Sequence, residues 1–288
     1  MKKQASEALT RHICAAVALV TVVACALSMP LRAQDLTEFD RILWEHGPTV
    51  VKVSDQATIK LPSGFRFTHE AGAKKFMELS ENPPNGRELA ILAPEDLSWF
   101  VILRFIDDGY VSDTEKRSLD ADALLNSIQR ATEKSNEERK RRGWGTITVI
   151  DWIQSPYYDA ATHNLEWSIR GRDDKGEIVA NHFTRFLGRR GVMTADIVAR
   201  IDTLNTDLLA FRQTMKGFSF TPENSYLAFV SGDKVAKYGL TGLILGGVAA
   251  KTGILKFLWK LIVAAVVAVG ALLKKLFSPR KKDNLYDR

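Results

Sequence analysis

Six side chains carry the chemistry that this sequence offers: Tyr158, Asp159, Trp167, Asn181, Arg185 and Arg189. They sit in and between three stretches that read as successive strands, TITVIDWI, NLEWSIRG and EIVANHFTRFL. Alternation is clearest in the middle one, where Leu165, Trp167 and Ile169 share a face. If the three form a meander, joined through SPYYDAATH and RDDKG, the turns at 155–163 and 188–191 lie at the same end of the sheet. Asp159 and Arg189 can then approach, and a carboxylate beside a guanidinium there can bind a polar ligand. The same residues also allow a plainer arrangement, in which Asp159 caps its turn and Arg189 pairs with a surface acid.

No catalytic motif accompanies them. The chain lacks Gly-x-Ser-x-Gly, His-Glu-x-x-His and a phosphate-cradling glycine loop. His12, His46, His69, His163 and His182 are scattered, without ligand spacing. Asp107-Asp108-Gly109 and Asp173-Asp174-Lys175-Gly176 lack calcium-loop spacing and read as turns. Cys14 and Cys25 are the only cysteines. Neither a metal nor a cofactor is expected.

The elements that must position these side chains alternate between the two periods. LTEFDRILWE reads as a short amphipathic helix, TVVKV and ATIKL as short strands, and Thr68 as the cap of a helix over about 69–80. ELAILA and SWFVILRFI are apolar runs of strand length, split by a turn. Asp120 caps a helix near 121–141 with Leu124, Leu125 and Ile128 inward and a solvent-facing second half, EKSNEERKRR. After the three strands, Ile197, Ile201, Leu204 and Leu208 suggest a helix over 195–214, and FSF closes the domain. This order gives an α+β fold, a mostly antiparallel sheet with packed helices.

Charge separates the ends from the middle. Of the 288 residues and net charge of +6, residues 1–33 hold four basic residues and one acid. Residues 234–288 hold eleven and two, which leaves 34–233 with 25 basic and 31 acidic residues. An acidic globular part argues against nucleic acid as a partner. Lys2, Lys3 and Arg11 precede an apolar run from Ile13 to Leu27, and Pro30 and Ala33 follow, the pattern of an export signal over 1–33. Cleavage after Ala33 or Ser28, lipidation at Cys25 and an uncleaved anchor all fit these residues. A mature chain cut after Ala33 holds no cysteine.

At the other end, Phe257 to Leu273 is a seventeen-residue apolar run interrupted only by Lys260, with Trp259 beside it and a basic tail over 274–288. A bilayer takes about 20 apolar residues, and a lysine near the end of a span can snorkel. The positive flank predicts a cytoplasmic tail and an exported domain over 34–233. The expected location is the cell inner membrane, single-pass and type I, with the main domain periplasmic and the lipid bilayer as partner. Between domain and span, residues 234–256 are glycine-rich. At helical spacing Gly239, Gly242, Gly246 and Gly253 line one stripe, a surface for a second copy or a membrane-protein partner. A flexible hinge is the other reading of the same stretch.

Several quoted stretches carry a resemblance. They are Gly47-Pro48, Leu61-Pro62-x-Gly64, Trp99-Phe100, Gly109-Tyr110-Val111-x-Asp113 and Asp120-Ala121-x-x-Leu124-Leu125. Further on come Trp152, Pro156-x-Tyr158-Asp159, Leu165-x-Trp167, Asn181, Arg185-x-Leu187-Gly188-Arg189-x-Gly191 and Gly232-Asp233-Lys234-Val235-Ala236. From Trp44 to about Lys251 the chain resembles the bacterial predicted membrane-anchored proteins of domain-of-unknown-function family 2167. The resemblance implies topology and no particular activity. The element order also looks like the PsbP and Mog1 type of fold. A membrane-anchored binding or scaffold domain is the expected function, and an envelope enzyme with a nonstandard site the alternative.

Overall fold

Four strands that alternate or run apolar from residue 147 to residue 200 become neighbours in space. The computed structural model describes residues 38–80, 86–141 and 143–246. β7 (Ile147–Asp159), β8 (Asn164–Asp173), β9 (Ile178–Leu187) and β10 (Val192–Arg200) form an antiparallel meander. β10 then pairs with β6 (Phe100–Ile106), which continues to β5 (Glu88–Pro94), β4 (Phe65–His69) and β1 (Glu45–His46). The result is an eight-stranded sheet in the order β1-β4-β5-β6-β10-β9-β8-β7. A second sheet of three strands joins β2 (Thr49–Ser54), β3 (Ala57–Leu61) and β11 (Phe218–Phe220). The architecture is α+β and antiparallel throughout its ladders.

Helices and the small sheet cover the two faces. On one side Phe67, Leu92, Leu103, Met193 and Ile197 pack against Ile59 and Leu61 of the small sheet and Phe211 of α3 (Leu204–Met215). On the other side α1 (Glu70–Leu79) covers Ile91, Phe100 and Ile102 with Phe76 and Met77. Beside it α2 (Ala121–Arg141) sets Leu124 and Ile128 over Ile147, Leu165, Trp167 and Phe183. Asp120 caps α2 by accepting the Ala123 N–H at 3.0 Å.

The structure corrects five expectations. Residues 192–200 form β10, and the helix starts only at Leu204. Every β10 residue except Arg200 is buried, because the strand lies mid-sheet with both faces covered; such a strand loses alternation, and Ile197 and Ile201 meet helical spacing by coincidence. Phe65–His69 is a strand, and Thr68 caps nothing: its hydroxyl donates to the Leu43 carbonyl at 2.7 Å, while His69 precedes α1 without a side-chain cap bond. The second half of α2 is not wholly solvent-facing. Asn136 exchanges two hydrogen bonds with the Ile147 backbone (2.7 and 3.0 Å), and Arg139 is buried.

The fourth correction concerns the glycines. Helix α4 spans only Leu240–Ile244. Gly239 stands before it in extended backbone, and Gly246 follows at φ +82°, so only Gly242 lies inside the helix. No helical stripe of small residues exists over 239–246, and an association through that stripe has no face to use there; Gly253 lies outside the described residues. Nor does the fold stop at Asp233. Leu240, Leu243 and Ile244 are buried against Val111 and the α2 cluster. The expected signal at 1–33, the run at 257–273 and the tail at 274–288 lie outside the described residues. Among the described residues no helix is long and apolar enough to cross a membrane.

Two outcomes follow from this packing. Leu243→Ala should destabilise the domain by about 2–5 kcal/mol in denaturant unfolding, the cost of a core cavity, whereas a linker leucine would cost almost nothing. His182 of β9 is fully buried and bonded to Ser168 Oγ at 2.8 Å, with Thr184 Oγ1 at 3.2 Å from its other ring nitrogen. Burial, aided by the positive charges of Arg212 and Arg185, lowers its pKa from 6.5 to about 3. The unfolded chain therefore takes up a proton that the folded chain refuses. This contribution is complete above pH 6.5 and is lost as pH falls toward 3, with a slope approaching about 1.4 kcal/mol per pH unit. Replacing His182 by Gln should flatten the acid limb of a stability–pH profile by about one proton.

Candidate functional site

Two constructions gather the polar side chains, one at the end of the large sheet and one inside it. At the end, the turns after β7 and β9 lie side by side, as the meander requires, but Asp159 and Arg189 do not pair. Asp159 caps its own turn, accepting from Ala161 N and Thr162 Oγ1, each at 2.9 Å, and these two bonds hold its carboxyl below the usual range. Arg189 instead makes a bidentate pair with Asp233, at 2.7 and 2.9 Å. Asp233 also accepts the Val230 N–H at 2.9 Å, and with Arg189 first in effect its pKa falls to about 2.

That pair belongs to a clasp that closes the C-terminal strap, residues 221–246, over the sheet end. Tyr110 N donates to Lys234 O and Ala236 N donates to Tyr110 O, both at 2.8 Å, a parallel bridge across more than a hundred residues of chain. The approach is close enough that a Cβ on Gly109, whose φ is +100°, would lie 2.4 Å from Lys234 O. Tyr238 Oη donates to Asp108 at 2.7 Å, and Glu115 accepts the Thr241 N–H at 2.8 Å. Rings fill the space beneath: His163 on Tyr226, Tyr226 on Tyr110 and Tyr110 on Phe229, with centroids 4.2–4.5 Å apart. Tyr158 joins this cluster with its hydroxyl 3.1 Å from His163 Nδ1. Burial, then the Asp113 charge, pushes the Tyr158 phenol well up, so it stays protonated.

The second construction runs across β5, β6, β10 and β9 on the helix face. Asp196 accepts from Arg185 Nη1 at 2.5 Å and from Arg104 Nη1 at 2.7 Å, and Arg104 Nε reaches Glu88 at 3.5 Å. Arg185 is 3% exposed, with its guanidinium 4.8 Å from the Trp167 ring, which stacks on Phe183. Asn181 is buried further along β9. Among the described residues Arg185 Nε and Thr194 Oγ1 have no hydrogen-bond partner. Both residues line a cavity with Arg104, Arg87 and Asp196 whose water-accessible space, about 10 Å³, suits about one water. An organic substrate does not fit it. Among the described residues no group of three or more His, Cys, Asp or Glu is placed to hold a metal.

Of the six expected side chains, then, Arg185 and Trp167 meet in the buried row, Asn181 lies further along the same strand, and Tyr158, Asp159 and Arg189 stand at the sheet end in separate roles. Sequence reading missed Glu88, Arg104 and Asp196. Their signal was present: each is a charge at the edge of or inside an apolar run, ELAILA, FVILRF and TADIVA, and two signs that must be buried together imply pairing. Replacing Asp196 by Ala leaves the buried Arg185 guanidinium without its carboxylate and Arg104 with Glu88 alone, and should cost about 3–5 kcal/mol, read by denaturant unfolding.

Comparison with known proteins gives a family and a distant structural likeness. The solution structure of cyanobacterial PsbP (CyanoP) from Synechocystis sp. PCC 6803 aligns with a TM-score of 0.37 and 12% identity, covering 62% of this chain and 92% of that one. No curated protein matches. A family model described as "Protein of unknown function (DUF2167)" matches residues 45–273, and the chain belongs to that family.

Proposed function

We propose that this chain is a membrane-anchored envelope protein whose α+β domain works outside the cytoplasm as a binding or scaffold module. One observation carries the reading: the strap that leads toward the apolar Phe257–Leu273 run is built into the domain core. Arg189–Asp233, the Tyr110 bridge and the buried Leu240, Leu243 and Ile244 attach it at three levels. A domain held that way keeps a fixed geometry at the point where its chain leaves for the bilayer. The export pattern over 1–33 and the basic tail over 274–288 add a direction, a type I protein of the cell inner membrane with a periplasmic domain.

The alternative, an envelope enzyme, calls for a cleft that takes a substrate beside convergent titratable groups. The titratable groups do converge at Asp196, but around a space for about one water. The geometry therefore favours a module that acts through its surface.

Protease added to spheroplasts should degrade the domain and leave a small C-terminal fragment protected by the membrane. A domain that survives intact while a control periplasmic protein is digested overturns the topology.

A further inference from the structure

The exposed apolar side chains of this domain are not scattered. Among the described residues nine large ones are exposed, and four of these, Leu227, Phe229, Val230 and Val235, fall within nine consecutive residues of the strap. Leu227 is 81% exposed and Val230 50%. Isolated exposed leucines are ordinary, but a cluster on one segment marks a contact surface. The segment is also rigidly held. Asp233 N donates to Val230 O, closing a turn between the two halves, and Asp233 is fixed in turn by Arg189. Phe229 is the outermost ring of the stack that runs through Tyr110 and Tyr226 to His163.

Resting on the anchoring read above, we propose that this turn is a lipid-docking surface, set into the headgroup region of the bilayer that holds the chain. Two features select lipid as the occupant. The first is where the described chain ends. Tyr226, Tyr110, Ala236 and the α4 leucines belong to one apolar cluster, so the turn lies beside the point of exit. Only ten residues separate Gly246 from Phe257, a fully extended reach of about 35–40 Å. The second is charge. Arg189 is paired with Asp233, and the strap over 221–246 holds two acids, Glu223 and Asp233, against two lysines, Lys234 and Lys237, so it carries no net charge. A surface without net charge gains little from a charged partner. What remains to be covered is hydrocarbon, as at the apolar edge of an interfacial segment.

The test uses the full chain, with Cys14 and Cys25 changed to Ser, reconstituted in phosphatidylcholine vesicles. A spin label is placed at Leu227→Cys or, as a control, at Leu209→Cys, which is 69% exposed on α3. Both positions project into solvent, so neither label disturbs the core. The label at 227 should show a several-fold higher ratio of oxygen to nickel-chelate accessibility than the label at 209. That ratio should be indifferent to salt and to added phosphatidylglycerol, and should collapse when Val230→Glu is added. A chain found in the vesicle fraction whose 227 label is as water-accessible as the 209 label overturns the docking and leaves the anchor standing. Protection at 227 only in native membranes, and not in pure lipid, assigns the surface to a protein and likewise overturns it. Protection lost at high salt assigns it to headgroup charge instead. A chain absent from the vesicle fraction removes the anchor and the docking together.

Discussion

The carboxylate of Asp196 is the constraint on which the large sheet turns. Buried between Arg104 on one neighbouring strand and Arg185 on the other, it ties β10 to β6 and β9 at once. β10 is also the seam of the sheet, where the meander β7–β10 meets the half built from β1, β4, β5 and β6. Thr194 stands opposite both arginines, so Asp196 is one pleat further along the same face. A slip of one residue would carry the carboxylate to the opposite face, among Leu103, Met193 and Ile197, and strand the buried Arg185 guanidinium. Apolar contacts alone tolerate such slips more readily than a paired charge does. The same side of the sheet is covered by two separate helices, α1 over one apolar cluster and α2 over the other.

How much of this was legible follows from what each residue had to satisfy locally. The α2 start was readable because Asp120 bonds the backbone three residues on, and the meander because β8 keeps one face apolar. β10 was not readable, since burial on both faces erases the period that separates strand from helix. Thr68 looked like a cap because capping is a local property of threonine. In the fold its hydroxyl finds a partner 25 residues away, and no local rule sees that competition. The glycine stripe failed for a related reason. Gly239 and Gly246 supply the backbone freedom that brackets a five-residue helix, while spacing alone cannot distinguish a glycine that invites a neighbour from one that ends an element.

The candidate residues divide along the same line. Topology placed Asp159 and Arg189 at one end of the sheet correctly, because a meander fixes which turns are neighbours. It could not choose their partners. Asp159 is satisfied within three residues, whereas Arg189 waits for Asp233, 44 positions later. Charged side chains close the nearest complete geometry, and for Arg189 that geometry exists only once the strap has folded back. The charges in the apolar runs were the readable sign that went unused: opposite signs buried on neighbouring strands imply one another.

The two constructions differ in rank, and this bears on how the domain works. The Asp196 row lies inside the sheet and is inseparable from it. The clasp joins the sheet end through the half-buried Arg189–Asp233 pair, the Tyr238–Asp108 bond, a few backbone bonds, the buried Tyr226 and the three apolar residues of α4. Between those attachments residues 227–235 bury little of themselves, and the turn is held closed by the Arg189–Asp233 pair and the Tyr110 bridge. Any surface that binds the closed turn and not the open one raises the stability of the clasp by mass action.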